Sequence, residues 1–245
     1  MLLVREVKTR RDRVKFVKFP NEMYADVDQF VPSFFDDEMA NINPKVNPAM
    51  EYCDMYNYLA ERDGELVGRI SVLVNHKAND RWDQKRVRIT RYDFIDDYEV
   101  SAALMDKAFE HARAEGLNEV VGPLGFCDMD KEGMLIDGFD RMSMMITYYN
   151  HPYYVKHMEK MGFAKEADWL EHIVYTDCKE QEKLDRICAR IIDKNGFKIL
   201  QFKSKKAIKP HIPRVFEILN NEYGNLFGVV PLTDRQVVYY AKQFL

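Results

Sequence analysis

The spacing of apolar residues changes along the first part of the chain, and each change marks an element. Residues 2–7 are typical of a short strand, and the apolar positions after it recur at helical spacing. Pro20 interrupts that spacing and predicts a break in the helix. The Asn- and Pro-rich stretch 41–54 predicts a long loop over a cleft. Beyond it, two apolar, partly β-branched runs flank Asp63-Gly64, a dipeptide that favours the turn of a β-hairpin.

The middle of the chain alternates strands with helices. Residues 87–96 predict a buried strand, and residues 100–116 predict a helix with one apolar stripe and a glycine cap. A further buried strand is predicted at 118–126, a second helix at 151–163 and another strand at 168–176. This order predicts an α/β (α+β) fold with a mixed, mostly antiparallel central sheet and helices on both faces.

A weak internal repeat sets the expected domain organisation. Twelve residues from Asn21 align without gaps on twelve from Asn220, with four identities. We therefore expect a first domain over residues 1–177, a helical connector over 178–196, and the start of a second, incomplete copy over 197–245. That remnant, with one predicted strand and two helices, is too short to close its own core. Either it packs on the first domain or a partner, or the chain is a fragment of a longer protein.

Composition and charge narrow the class of function. The 245 residues are 47% hydrophobic and 31% charged, which is typical of a soluble globular protein with a sizeable core. The net charge of −4 argues against a nucleic-acid partner. No apolar run or leader pattern indicates a membrane span, so we expect a cytoplasmic protein without a membrane partner. The cysteines and histidines lack metal-ligand spacing, so no metal site is predicted.

One basic stretch departs from the acidic balance. Residues 197–214 carry six basic residues and no acid. Two interpretations remain open, a solvated strand edge with its turn or a phosphate-binding patch.

The hairpin, the strand–helix step at 92–116 and the stretch 150–163 together resemble the GNAT (N-acetyltransferase-like) superfamily. More narrowly, they resemble an uncharacterised bacterial GNAT-like group whose members commonly carry a second such domain. The resemblance covers residues 1–177 and implies a V-shaped opening between two adjacent parallel strands, where an acyl-CoA lies. It further implies acetyl-CoA as the cofactor and a small-molecule or peptide amine as the acceptor, and we also expect a homodimer.

The cofactor loop departs from the pattern of the superfamily, in which a glycine-rich loop and a helix start hold the CoA pyrophosphate. Here Asp96, Asp97 and Glu99 place carboxylates at that helix start, and the glycines are absent. A self-capped helix and a working pyrophosphate site are therefore equally supported. Basic residues on the flanks offer further phosphate contacts: Arg88, Arg91 and Lys107. The resemblance implies these cofactor-binding residues: Phe94, Ile95, Asp96, Ser101, Asn150 and Tyr153.

The residue expected to act as the general acid also departs from the pattern of the superfamily. The superfamily often has a tyrosine four residues before the terminal Gly-Phe, where this chain has Met158, which cannot donate a proton. Tyr154 lies one turn earlier on the same helix face and is the predicted acid, with Tyr153 and His157 as alternatives. Core packing is the competing interpretation for Tyr154, as a helix N-cap is for Asn150.

Attack on a thioester also requires a base that removes a proton from the amine. The acidic loop 127–133 follows the fifth strand, so Asp128 and Glu132 are the predicted bases. Asp130 and Asp93 are the alternatives, and an ordinary exposed turn is the competing interpretation. Cys127 is not expected to act as a nucleophile, since the sequence places no histidine beside it.

The resemblance implies an acyl-CoA-dependent N-acyltransferase that transfers an acetyl group to an amine by direct attack on the thioester. The alternative is a catalytically inactive GNAT-like module for ligand binding or assembly, without a working pyrophosphate loop.

Overall fold

The structure is a computed structural model that describes residues 1–175 and 180–244. Its core is a five-stranded sheet in the order β1-β2-β3-β4-β5. The strands are β1 (Leu2–Glu6), β2 (Cys53–Arg62), β3 (Glu65–Asn75), β4 (Arg86–Phe94) and β5 (Glu119–Val121). Strands β1 to β4 pair antiparallel, and β5 pairs parallel with β4. The mixed, mostly antiparallel sheet is therefore confirmed.

Helices lie before, between and after the strands. Within the described residues they are α1 (Arg10–Met23), α2 (Phe35–Asn41), α3 (His76–Trp82), α4 (Tyr98–Ala114), α5 (Tyr153–Lys160), α6 (Gln181–Asn195), α7 (Lys205–Ile208), α8 (Ile212–Glu222) and α9 (Asp234–Phe244). Among these same residues, no helix has the length and apolarity needed to cross a membrane.

Both faces of the sheet are covered, because successive strand residues point to opposite sides. On β2, Leu59 packs with Phe16 of α1. The next residue, Ala60, belongs to the cluster that contains Leu104 of α4 and Met158 of α5. The α1–α2 pair therefore lies on one face and the α4–α5 pair on the other, as the sequence predicts.

The β2–β3 hairpin has the predicted turn. Asp63 and Gly64 both take positive φ, 52° and 89°, which matches the twist of the flanking strands.

Strands β4 and β5 diverge soon after they pair. Their register covers only Arg86–Arg88 against Glu119–Val121. Leu124 N still donates to Ile89 O at 2.8 Å, and beyond that point β4 continues alone to Phe94. The predicted strand 118–126 is therefore too long. This divergence of a single parallel pair matches the V-shaped opening that the resemblance implies.

A bulge in β4 lies where the two strands separate. Ser71 pairs with Thr90 but Arg69 pairs with Asp93, so β4 carries one extra residue. Arg91, inside the bulge, has a φ of 48°. As a result Asp93 points to the α1 side of the sheet, where it meets Arg69.

The predicted break at Pro20 is wrong, because α1 continues through it. Proline has no N–H, so the carbonyl of Phe16 loses its helical donor. Arg69 of β3 donates its Nη1 to that carbonyl at 2.8 Å. A tertiary hydrogen bond thus replaces the missing helical one.

Two other predicted strands are wrong. Residues 168–175 and 197–204 form no strand, and residue 176 lies outside the described residues. Their apolar side chains are exposed, Leu170 at 78% and Ile199 at 76%. A β-prone segment without a paired neighbour gains no ladder hydrogen bonds, so local preference alone does not form a strand.

The two halves of the weak repeat share a local backbone structure. Tyr24 follows α1 and Tyr223 follows α8, each as the C-cap of its helix. Tyr24 O accepts from Val27 N at 3.0 Å, and Tyr223 O accepts from Leu226 N at 2.9 Å. The domain boundaries around these segments stay predictions.

The C-terminal helices pack on the preceding part of the chain. Gln236 of α9 is fully buried and donates to the Tyr52 hydroxyl at 2.8 Å. Phe216 of α8 and Tyr240 of α9 join the apolar cluster that contains Cys127.

Leu104 of α4 is fully buried against Gly68 of β3, where an added Cβ would come within 2.7 Å of Leu104 Cδ1. Leu104→Ala should lower the free energy of unfolding by about 3 kcal/mol, because it leaves a cavity. Urea denaturation followed by circular dichroism measures the change. The same replacement at half-exposed Leu184 should cost less than about 0.5 kcal/mol. Equal losses at the two positions would contradict this packing of α4.

Candidate active site

Two adjoining cavities lie where β4 and β5 diverge. The first, of about 260 Å³, lies between the end of β4 and the loops that follow β5. The second, of about 420 Å³, extends towards α1 and α2. Asp93, Tyr148 and Tyr149 line both cavities. The volume of the second cavity includes space that is open to solvent.

Two buried ion pairs form part of the cavity walls. Arg69 Nε donates to Asp93 Oδ2 at 2.6 Å, and Arg91 Nε donates to Glu38 Oε2 at 2.8 Å. Burial would raise the pKa of Glu38, but the charge and hydrogen bonds of Arg91 outweigh it and lower that pKa. Both carboxylates are therefore held in place by a guanidinium.

Lys131 adds a second cation, besides Arg69, to the second cavity. Its Nζ lies 5.7 Å from the centroid of the Tyr148 ring. Burial lowers the pKa of this amine, despite the nearby carboxylates of Glu38 and Asp93. The ion pairs of the described residues do not include Lys131, so its charge is available to a ligand.

Two tyrosine hydroxyls close the end of β4. Tyr153 donates to Phe94 O at 2.6 Å, and Phe94 N donates to the Tyr154 hydroxyl at 3.1 Å. The Tyr154 hydroxyl also shares a hydrogen bond of 2.8 Å with that of Tyr24. Tyr154 is buried, and burial raises its pKa well above the ordinary value. Both backbone groups of Phe94 are thus bonded within the protein.

The start of α4 is self-capped. Asp97 accepts hydrogen bonds from Glu99 N at 2.9 Å and Val100 N at 3.4 Å. Arg62 pairs with both Asp97 and Glu99. The hydrogen bond from Arg62 lowers the pKa of Asp97, which stays ionised. Because a carboxylate already occupies the free N–H groups, the residues at this position do not fit the pyrophosphate of CoA.

The flanking cations already have partners. Arg88 donates to Gly125 O at 3.0 Å and to Gly228 O at 2.8 Å. Arg91 pairs with Glu38, and Lys107 lies 2.8 Å from Glu110. These side chains therefore already interact within the protein, whereas the sequence suggested them as phosphate contacts.

Ser101 and Asp96 meet through His157 of α5. His157 Nδ1 lies 2.8 Å from Ser101 Oγ, and its Nε2 lies 3.2 Å from Asp96 Oδ1. This is the order of contacts in a Ser-His-Asp triad. Ser101 is fully buried, however, and its hydroxyl also bonds to Tyr98 O at 3.0 Å. The chain of hydrogen bonds therefore fastens α5 to the start of α4.

The other two predicted cofactor residues have structural partners. Ile95 N donates to Val67 O at 3.1 Å, and its side chain is 36% exposed. The buried Asn150 side chain bonds to Leu135 N at 2.7 Å and to Leu135 O at 3.0 Å. Asn150 therefore holds the loop before α5, and the residue that caps α5 is Pro152.

The acidic loop contains one unsatisfied carboxylate. Glu132 Oε1 is buried and has no hydrogen-bond partner among the described residues. Burial and the neighbouring Asp128 raise the pKa of Glu132 to about 8, and burial also raises the pKa of Asp128. A carboxyl with a pKa of about 8, such as Glu132, can exchange protons near neutral pH. Glu132 directly precedes Gly133, which lines the first cavity.

The remaining loop residues have other roles. Asp130 accepts from Phe126 N at 2.7 Å and from Asn41 Nδ2 at 2.9 Å, so it shapes the loop. Cys127 is fully buried, and burial raises its pKa to about 12, which keeps it a thiol.

Sequence reasoning missed four residues of this site: Tyr24, Glu38, Arg69 and Lys131. A signal for one of them was present, because Arg69 interrupts an otherwise apolar strand and faces away from Ile70. The partners of these residues lie far away in the chain, so local patterns do not identify them.

No protein-family model matches the chain. It is 26% identical over 238 residues to Protein YghO of Escherichia coli K12, covering 96% of this chain and 59% of that protein. It is 25% identical over 248 residues to the Bacterial ceramide synthase of Caulobacter vibrioides, covering 98% of this chain and 62% of that protein. The chain spans about three fifths of the length of both curated relatives.

Among solved structures, the chain is similar to a predicted acetyltransferase with acetyl-CoA from Clostridium acetobutylicum. The identity is 12% and the TM-score 0.44, over 71% of this chain and 96% of that one. A tandem GNAT protein from the clavulanic acid biosynthesis pathway has 13% identity and a TM-score of 0.45, over 66% of this chain and 43% of that one.

Glu132 makes stability depend on pH. Its raised pKa means that the folded state holds the proton more tightly than the unfolded chain, so this stabilisation is lost as pH rises from 4.5 towards about 8. Glu132→Gln mimics the protonated acid. It should be more stable than the parent by about 2 kcal/mol at about pH 9, and nearly equal to it at about pH 5.

Urea denaturation at both pH values measures this difference. Glu222→Gln, on the exposed side of α8, serves as the control and should follow the parent at each pH. A Glu132→Gln protein with the same pH dependence as the parent would show that this carboxyl is not buried in its neutral form.

Proposed function

We propose that the chain is an acyl-CoA-dependent N-acyltransferase that forms an amide between an acyl group and a primary amine. The observation that carries the proposal is the polar cavity at the divergence of β4 and β5, with Asp93 and Tyr154 in its wall. Acyl-CoA is the donor that a GNAT-like fold implies. Since the start of α4 does not fit a pyrophosphate, no step is assigned to that part of the donor.

The acceptor that we propose is a long-chain amine, and the acyl group a fatty acyl group. The Caulobacter relative, which matches nearly the whole chain, carries the name of a ceramide synthase. A ceramide is the amide of a fatty acid with a long-chain amino alcohol, so its synthesis forms the same bond. The cavity beside α1 and α2 would hold the polar head of such an amine, with carboxylates and Lys131 around it.

The proposed chemistry needs one base and one acid. The amine loses a proton and attacks the thioester carbon; the new C–N bond forms as the C–S bond breaks, and the thiolate takes up a proton. Tyr154 is the proposed acid, because its hydroxyl lies at the cavity wall and bonds to that of Tyr24. Glu132 and Asp128 are the proposed bases, acting through water, because their raised pKa values suit proton uptake.

A second candidate function is a GNAT-like module that binds a ligand or assembles with a partner without catalysis. Two observations favour it. Asp97 occupies the helix start where an anion would bind, and Tyr153 and Tyr154 occupy the backbone groups of Phe94.

Calorimetric titration with acetyl-CoA and palmitoyl-CoA separates the two candidates. The acyltransferase proposal expects micromolar binding by the parent chain and amide formation when a long-chain amine is added. Asp96→Gly/Asp97→Gly should bind more tightly, by about tenfold, because it removes two repelling charges and frees the helix start.

The matched control is Asp36→Gly/Asp37→Gly, which removes two charges from the first turn of α2 and should leave donor affinity unchanged. If the parent binds no acyl-CoA and the α4 variant gains binding, the non-catalytic module is the correct function.

Tyr154→Phe tests the acid. The rate of amide formation should fall by about 10²-fold with little change in donor affinity, since only the proton donor is lost. Tyr56→Phe, which removes a hydroxyl from β2 where the Tyr56 ring stacks on His111 of α4, should retain the parent rate. An unchanged rate for Tyr154→Phe would remove this assignment.

A further inference from the structure

Helix α6 has an apolar stripe that residues 1–175 and 180–244 leave exposed. Leu184, Ile187 and Ile191 share one face of the helix and are 45–47% exposed. Within α6 no residue is buried. An amphipathic helix of a globular protein normally packs such a stripe against the core. Among the described residues, no element packs over the stripe of α6 and buries it.

The segment after α6 alternates apolar and basic side chains. Phe197, Ile199 and Leu200 are 58–76% exposed, and Lys198 and Lys203 lie among and after them. The basic residues continue through Lys205, Lys206, Lys209 and Arg214, and residues 197–214 contain no acid. Arg214 pairs with Glu217 at 2.6 Å, whereas the five lysines of the segment belong to none of the ion pairs of the described residues. This segment thus combines exposed apolar area with positive charge.

We propose that the interfacial segment, residues 181–214, binds an anionic phospholipid surface. The stripe of α6 would lie at the boundary of the acyl chains, and the lysines that follow would contact lipid phosphates. A nucleic acid or a free phosphate offers negative charge without an apolar phase, whereas a phospholipid surface offers both. The chain as a whole has a net charge of −4, so the attraction comes from this segment alone.

This inference goes beyond the proposed acyl transfer and differs from the expectation of no membrane partner, which rested on the absence of a spanning sequence. Binding at a surface needs no spanning helix. It would also bring the cavity close to a long-chain amine that resides in a membrane. Lipid binding is measured without any reaction, so its failure and the failure of acyl transfer are distinguishable.

Vesicle co-sedimentation of the 245-residue chain tests the proposal. The chain should bind vesicles of phosphatidylcholine with phosphatidylglycerol at low salt, at least about tenfold more tightly than vesicles of phosphatidylcholine alone. High salt should weaken binding by about tenfold or more. Equal binding to both vesicle types, or none, would overturn the proposal.

Two variants probe the two parts of the segment. Ile187→Asp/Ile191→Asp and Lys203→Glu/Lys205→Glu/Lys206→Glu should each lower vesicle affinity by at least about tenfold. The matched control is Arg10→Glu/Arg11→Glu/Lys18→Glu, which makes the same change in net charge at exposed positions of α1. An equal loss in this control would overturn the proposal, because binding would then follow net charge. Far-UV circular dichroism verifies that each variant is folded.

Two further measurements distinguish other occupants. Inorganic phosphate at matched ionic strength should displace the chain no better than sodium chloride; stronger displacement would indicate a phosphate patch and overturn the lipid assignment. Light scattering without lipid should give the same mass for the parent and for Ile187→Asp/Ile191→Asp. If the parent is a dimer and this variant is a monomer, the stripe binds a second copy of the chain, and the lipid assignment is wrong.

Discussion

The buried guanidinium of Arg69 connects three elements of the fold. It pairs with Asp93 of β4, donates to the Phe16 carbonyl of α1, and lies 5.0 Å from the centroid of the Phe16 ring. Loss of one partner from a buried ion pair leaves an uncompensated charge and costs about 3–5 kcal/mol. Arg69 bonds to the carbonyl that Pro20 leaves without a helical donor, and it also holds Asp93 at the wall of both cavities. The course of α1 and the position of Asp93 therefore depend on each other.

The two sides of the gap between β4 and β5 differ in character. On the α1 side, charged residues and tyrosines surround an open cavity. On the α4 side, the protein's own groups occupy the places where the resemblance implies a cofactor. The cause lies in the two departures seen in the sequence: an aspartate replaces the glycines and caps α4, and a tyrosine one turn earlier in α5 reaches Phe94. Because of these departures, the binding of an acyl-CoA donor at the start of α4 is what separates the proposed acyltransferase from the non-catalytic module.

Much of the sheet could be predicted because its signals are local. The hairpin at Asp63-Gly64 and helix α4 follow from turn chemistry and periodicity. The errors have one physical origin. Pro20 does not break α1, because a distant arginine bonds to the orphaned carbonyl. Residues 168–175 do not form a strand, because strand formation requires a neighbour that local preference does not supply.

The sequence by itself determined the order of elements and the mixed sheet. It also left two interpretations for the start of α4, a self-capped helix and a phosphate site. It further proposed Tyr154, Asp128 and Glu132 as catalytic residues, and these roles stay predictions. Only the tertiary structure decided that Asp97 caps α4 and pairs with Arg62, that Tyr154 bonds to Tyr24, and that the described residues leave the α6 stripe exposed. The reason is that helix and turn preferences act over a few residues, whereas ion pairs and burial join residues that are far apart in the chain.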